Sequence, residues 1–174
     1  MRCMRRHIER QAGYTLIELL LYVSIIGGLL LSVTYFFGTT AETRVKNQSI
    51  SEVNDQAAAV MDTITQTVRN AVSITSPAAG ASGASLTLVV PTGSLSPTVF
   101  DLSGTTLRIK EGTAPTINLT NTKVQVTSLT FRNLTRTGTN GIVQISFTMS
   151  RVNANNRNEY DFQKTFTSSA EVRW

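Results

Sequence analysis

Between Tyr14 and Phe37 the chain runs through 24 residues with a single formal charge, the carboxylate of Glu18. As a helix this segment extends about 36 Å at ~1.5 Å per residue, more than the ~30 Å hydrocarbon core of a bilayer. It is therefore expected to leave the globular part of the molecule and enter lipid. Arg2, Arg5, Arg6 and Arg10 precede it, against the one acid Glu9. Basic residues ahead of an apolar span hold that end in the cytoplasm, so the remainder is expected to be translocated. A charge at the centre of a membrane helix costs ~2.5–3.5 kcal/mol on insertion scales. A lone carboxylate near the start of the span thus calls for a purpose.

Three readings of this region compete. Thr39-Thr40-Ala41 has the small residues of a conventional signal-peptide cut. However, the apolar run exceeds the ~7–15 residues of a conventional hydrophobic region, and that reading leaves Glu18 unexplained. A plain signal anchor leaves it unexplained as well. The third reading starts from Gly13-Tyr14-Thr15-Leu16-Ile17-Glu18-Leu19, which follows a short basic leader and opens the apolar run. This segment resembles the class III signal of type IV prepilins and pseudopilins, and it is the reading favoured here. The resemblance implies cleavage between Gly13 and Tyr14 by a membrane prepilin peptidase, with N-methylation of Tyr14. It places Glu18 at the fifth mature position, where the family's glutamate pairs with the terminal amine of a neighbouring subunit and sets axial register. Tyr14 stands where the family usually has phenylalanine, a change expected to leave cleavage intact. The implied partners are the prepilin peptidase/methylase, other pilins or pseudopilins, an inner-membrane assembly platform and membrane lipid. The implied location is a single pass of the inner membrane before assembly, then an extracytoplasmic fibre or the cell surface.

The composition narrows the chemistry. Net charge is +5, but residues 1–13 supply +3 of it, so the basic balance says little about nucleic acid. The single cysteine, Cys3, and the single histidine, His7, both lie in the leader. A chain cut after Gly13 has no disulfide, no thiolate metal ligand and no nucleophile–base pair of the usual kind. Asp101, Glu111, Glu159 and Asp161 are scattered over expected turns and strands, with Glu159 and Asp161 flanking Tyr160 on one solvated strand face. No closely spaced set of oxygen ligands suggests calcium. The expectation is therefore no enzyme, no cofactor and no metal. Arg132 and Arg136 bracket Asn133-Leu134-Thr135, and Arg151 and Arg157 flank an asparagine-rich loop. Such loops can meet phosphates, but solvated basic loops are favoured over a nucleic-acid partner.

Further along, Gly27-Gly28 lies mid-span, where each glycine costs ~1 kcal/mol of helix propensity relative to alanine. A packing notch for a neighbouring helix is favoured over a point of unwinding, and no proline occurs before Pro77. From Glu42 to Val72, Val53, Ala57, Val60, Met61, Ile64, Val68 and Ala71 recur at spacings of three and four, predicting an amphipathic helix packed on a sheet. Ser76–Gly83 is expected to break it. Strands are expected at 86–90, at 98–101 and 106–110 around a Ser103-Gly104 hairpin, and at 116–119. Residues 123–134 shift phase between Val126 and Leu129, which predicts a bulge near Thr127-Ser128. Asn140-Gly141 reads as a tight turn before the alternation of Val143, Ile145, Phe147 and Met149. Tyr160, Phe162, Phe166, Ala170, Val172 and Trp174 share parity, interrupted by Lys164 as an edge residue or snorkelling stem.

The expected fold class is α+β, a long N-terminal helix packed on an antiparallel β-sheet domain, pilin-like in outline. The expected segments are a leader (1–13), a transmembrane and assembly helix (14–40), an amphipathic helix (41–75) and a β-rich domain (76–174). Ala71-Val72-Ser73-Ile74 and Ser169-Ala170-Glu171-Val172-Arg173 are similar to stretches of the J-type minor pseudopilins and W-type minor pilins. That similarity implies a minor subunit that initiates or caps a fibre. The alternatives are a major shaft subunit, or a DNA-binding or adhesive minor pilin of a competence system.

Overall fold

The computed structural model describes residues 15–173. The leader, Gly13, Tyr14 and Trp174 lie outside them. One helix, α1, spans Leu16–Arg69. Among the described residues nine strands follow: β1 Ser73–Ser76, β2 Ser82–Gly83, β3 Leu86–Val89, β4 Thr98–Ser103, β5 Thr106–Glu111, β6 Ile117–Asn118, β7 Val124–Asn133, β8 Ile142–Arg151 and β9 Gln163–Glu171. The chain divides into two compact units between Glu42 and Thr43.

In the first unit, every large apolar side chain from Leu16 to Phe37 is at least 50% exposed. A contiguous apolar surface of that size has no place in water, and this stretch is long and apolar enough to cross a membrane. Two of its hydroxyls are satisfied from within. Ser24 Oγ donates to the Leu20 carbonyl and Thr34 Oγ1 to the Leu30 carbonyl, both at 2.8 Å, the internal bonding that hydrocarbon demands. The helix runs unbroken through Gly27 and Gly28, and a side chain at either position would meet open space.

The second unit holds the core. The expected apolar stripe is buried: Val53, Ala57, Val60, Ile64, Val68 and Ala71 are at most 1% exposed, while Met61 sits half-buried at the rim. The stripe packs on two antiparallel sheets rather than one. The first runs β1-β3-β4-β5-β6 and the second β2-β7-β8-β9. Leu86, Leu88, Phe100, Leu107 and Ile109 line the inner face of the first. Val126, Leu129, Phe131, Val143, Ile145, Phe147 and Met149 line the second. The bulge is present: Val126 opposes Met149 and Ser128 opposes Thr148, leaving Thr127 as the extra residue. It restores Leu129 and Phe131 to the inner face after the change of phase. The β4–β5 hairpin also forms as expected, turning through Gly104 at φ +61°.

Three features differ from expectation. The helix stops at Arg69 rather than near residue 75, because Val72 N–H donates to the Val89 carbonyl at 2.7 Å and Ser73–Ser76 pairs with β3. The turn before β8 lies at Arg136–Thr139, with Gly138 at φ +79°, rather than at Asn140-Gly141. Gly141 serves close packing instead: an added Cβ would lie 3.0 Å from Ile74 Cδ1 and 3.2 Å from Val172 Cγ2. Finally, Glu159 and Tyr160 belong to a short 3-10 turn, Asn158–Tyr160, followed by an exposed Asp161, so they share no strand face.

Candidate functional site

Glu18 lies in the first turn of α1. Two local features hold a carboxylate there. Its backbone N–H donates to Thr15 Oγ1 at 3.3 Å, so Thr15 caps the helix and Glu18 occupies the third helical position. Thr15-Leu16-Ile17-Glu18 is therefore the threonine-to-glutamate spacing of a capping box, with the threonine half formed. The partial positive charge of the helix N-terminus also favours an anion in this turn. One turn on, the Tyr22 hydroxyl donates to Glu18 Oε1 at 3.4 Å. This is a long bond that leaves the carboxylate free to accept a stronger donor. Glu18 is half-buried while Leu16, Ile17, Leu19 and Leu20 around it are exposed. The site is thus an acceptor of hydrogen bonds and positive charge set in an apolar surface. The threonine cap is legible in the Thr-x-x-Glu spacing ahead of an apolar run, a signal separate from the charge itself. Gly13 and Tyr14 lie outside the described residues.

Several of the other polar candidates are occupied by structural contacts, while Arg132, Arg136 and Asp161 are exposed. Arg108 and Asp101 face each other across β4 and β5 and form a two-pronged bond, Nε to Oδ1 at 3.0 Å and Nη2 to Oδ2 at 2.7 Å. The bond to Asp101 raises the Arg108 pKa further above its ordinary value. Arg157 Nη2 lies 2.7 Å from Glu159 Oε1. That bond, followed by a backbone hydrogen bond, holds the Glu159 carboxyl below the ordinary carboxylate range. The guanidinium groups of Arg151 and Arg157 both stand against the Tyr160 ring, at 5.8 and 5.7 Å from its centroid, and Arg151 reaches Glu52 at 4.0 Å. The asparagine-rich loop is thereby clipped to the domain, and its arginines are turned toward protein acids and an aromatic face.

Around the Asn133-Leu134-Thr135 stretch, Arg132 and Arg136 are exposed, as expected of solvated basic residues, but Asn133 between them is not. Asn133 ends β7 and is only 3% exposed. Its Nδ2 donates to the Pro77 carbonyl at 2.8 Å, and its Oδ1 accepts from Thr135 N–H at 3.0 Å. Its N–H donates to the Ala81 carbonyl and its carbonyl accepts from Gly80 N–H, both at 2.9 Å. Asp101, Glu111, Glu159 and Asp161 are not brought together. Among the described residues no three His, Cys, Asp or Glu side chains gather as a metal site.

No protein-family model matches the sequence, and no curated protein or solved structure matches it.

Proposed function

We propose that the chain is a minor pilin or pseudopilin, a structural subunit that initiates or caps a type IV pilus-like or type II secretion pseudopilus fibre. It enters the inner membrane through residues 14–40. A prepilin peptidase removes residues 1–13 at Gly13/Tyr14, and the new Tyr14 amine is methylated. One observation carries this reading: a capped, half-buried carboxylate, Glu18, in a 22-residue helical stretch that is otherwise uncharged and whose large apolar side chains are all exposed. Such a surface needs either lipid or neighbouring helices. Within a helix bundle the carboxylate needs a cation, and a neighbour's terminal amine supplies one without a second charged side chain. Opposite charges brought out of water attract strongly, yet desolvation offsets much of the gain. The pair therefore selects axial register more than it adds affinity. The globular unit, with its own core, is then the part displayed outside the membrane.

The test is stoichiometric. Fibres sheared from cells, or pseudopilus complexes drawn from membranes, are expected to contain this chain at a few copies against many of a major subunit. A chain that makes up the bulk of the fibre is a shaft subunit. A chain absent from every such assembly contradicts the proposal.

A further inference from the structure

We propose that β9 is a self-complementary docking edge that joins two copies of this chain into one continuous antiparallel sheet. β9 is nine residues long and is paired on one side only, to β8. The other edges are blunted by length: β2 and β6 have two residues each and β1 has four, with an irregular register. Proteins normally shorten, charge or cover an open edge; β9 is the longest edge, and its one lysine, Lys164, is turned to Asn54 Oδ1 of α1 at 3.4 Å.

The phase of the β8–β9 ladder decides which backbone groups are free. Arg151 N–H donates to the Phe162 carbonyl at one end, and Val172 N–H to the Gly141 carbonyl at the other. Hydrogen-bonded pairs in an antiparallel ladder recur every second residue. The even-numbered residues of β9 therefore face β8. Gln163, Thr165, Thr167, Ser169 and Glu171 direct five N–H and five C=O groups away from it. Among the described residues no backbone partner reaches these groups. The side chains of the same five residues are exposed. Thr165 and Thr167 reach back to Thr148 and Ser146 through their hydroxyls, at 2.8 and 3.2 Å, which stiffens the edge.

A second copy fits this edge with full overlap. Two β9 strands related by a two-fold axis through Thr167 pair Gln163 with the partner's Glu171, Thr165 with the partner's Ser169, and Thr167 with the partner's Thr167. All of these are outward-facing residues, so the longest overlap is also the one in phase for hydrogen bonding, and all ten free groups on each strand find partners. The strand's only charges are Lys164 and Glu171. In this register Lys164 opposes the partner's Ala170, and Glu171 opposes a glutamine that can donate to it. No like charges meet, and Thr–Thr and Thr–Ser pairs are favourable cross-strand neighbours.

The test reads amide exchange residue by residue on the full chain in detergent micelles. In concentrated wild-type protein the amides of Thr165, Thr167 and Ser169 are expected to exchange at least roughly tenfold more slowly than in dilute protein, as the open edge is depopulated. Thr167→Lys places two lysines opposite each other and should abolish that protection, as should Thr167→Glu by the same logic. Mixing the two variants should restore it. Phe166 and Ser168, which face β8, should stay protected throughout and so report an intact fold. Concentration-independent exchange in the wild type, protection that survives in Thr167→Lys, or failure of the mixture to restore it would each overturn the proposal.

Discussion

The Tyr22 hydroxyl reaches Glu18 Oε1 at 3.4 Å from one turn along the helix, while Thr15 Oγ1 accepts the Glu18 N–H at 3.3 Å from the other side. Glu18 thus belongs to a small polar cluster at the head of an apolar span. The threonine serves the helix and the carboxylate remains available. The two residues should separate on mutation. Thr15→Ala is expected to cost about 0.5–2 kcal/mol at the helix start, seen as faster amide exchange at Glu18, with assembly retained. Glu18→Val is expected to leave membrane insertion intact, since it removes a charge from an apolar span, and to abolish co-purification with partner subunits. Normal co-purification of Glu18→Val would show that the carboxylate serves the helix cap alone.

The core makes a second separation. Ile64 is fully buried in the second unit, whereas Met61, one turn back, is half-buried at its rim. Ile64→Ala should cost about 2–5 kcal/mol, the range for deleting buried aliphatic volume, out of a total of about 5–15 kcal/mol. Met61→Ala should cost less than half as much. Urea denaturation of the two variants, followed by the β-sheet signal, checks this, and equal losses would contradict the assigned packing.

The stripe from Val53 to Ala71 and the bulge at Thr127 were legible in the sequence because both follow from periodicity, and burial acts on periodicity directly. The helix end was not. Arg69-Asn70 is only a weak stop signal, the apolar spacing runs on to Ala71, and Ser73–Ser76 becomes a strand because β3, more than ten residues later, offers a ladder. Asn133 misled for a related reason. In sequence it reads as a turn residue between two arginines, but the turn chemistry belongs to Gly138, and Asn133 spends its amide on Pro77, 56 residues away. At the candidate site, the carboxylate within the apolar run was plain from charge alone. The Thr15 cap lay in a motif four residues long that ends on it.

Glycine positions provide a third test. Gly104 and Gly112 both have positive φ, +61° and +53°. An added Cβ at Gly104 meets open space, whereas at Gly112 it would run into the Ser94 carbonyl. Gly104→Ala should cost only the left-handed backbone penalty, about 1 kcal/mol. Gly112→Ala must also displace the 3-10 turn Gly93–Leu95 and should cost clearly more. Thermal melts of the two variants side by side give the comparison, and a Gly112→Ala melt matching that of Gly104→Ala would contradict the close approach.

The central claim concerns where the mature chain begins and what its first amine carries. The intact mass of the protein purified from native membranes measures both at once. The account predicts a chain that starts at Tyr14 and carries one added methyl group, with the mass of residues 1–13 missing. A mass that retains the leader, or a chain that starts at Glu42, would contradict it.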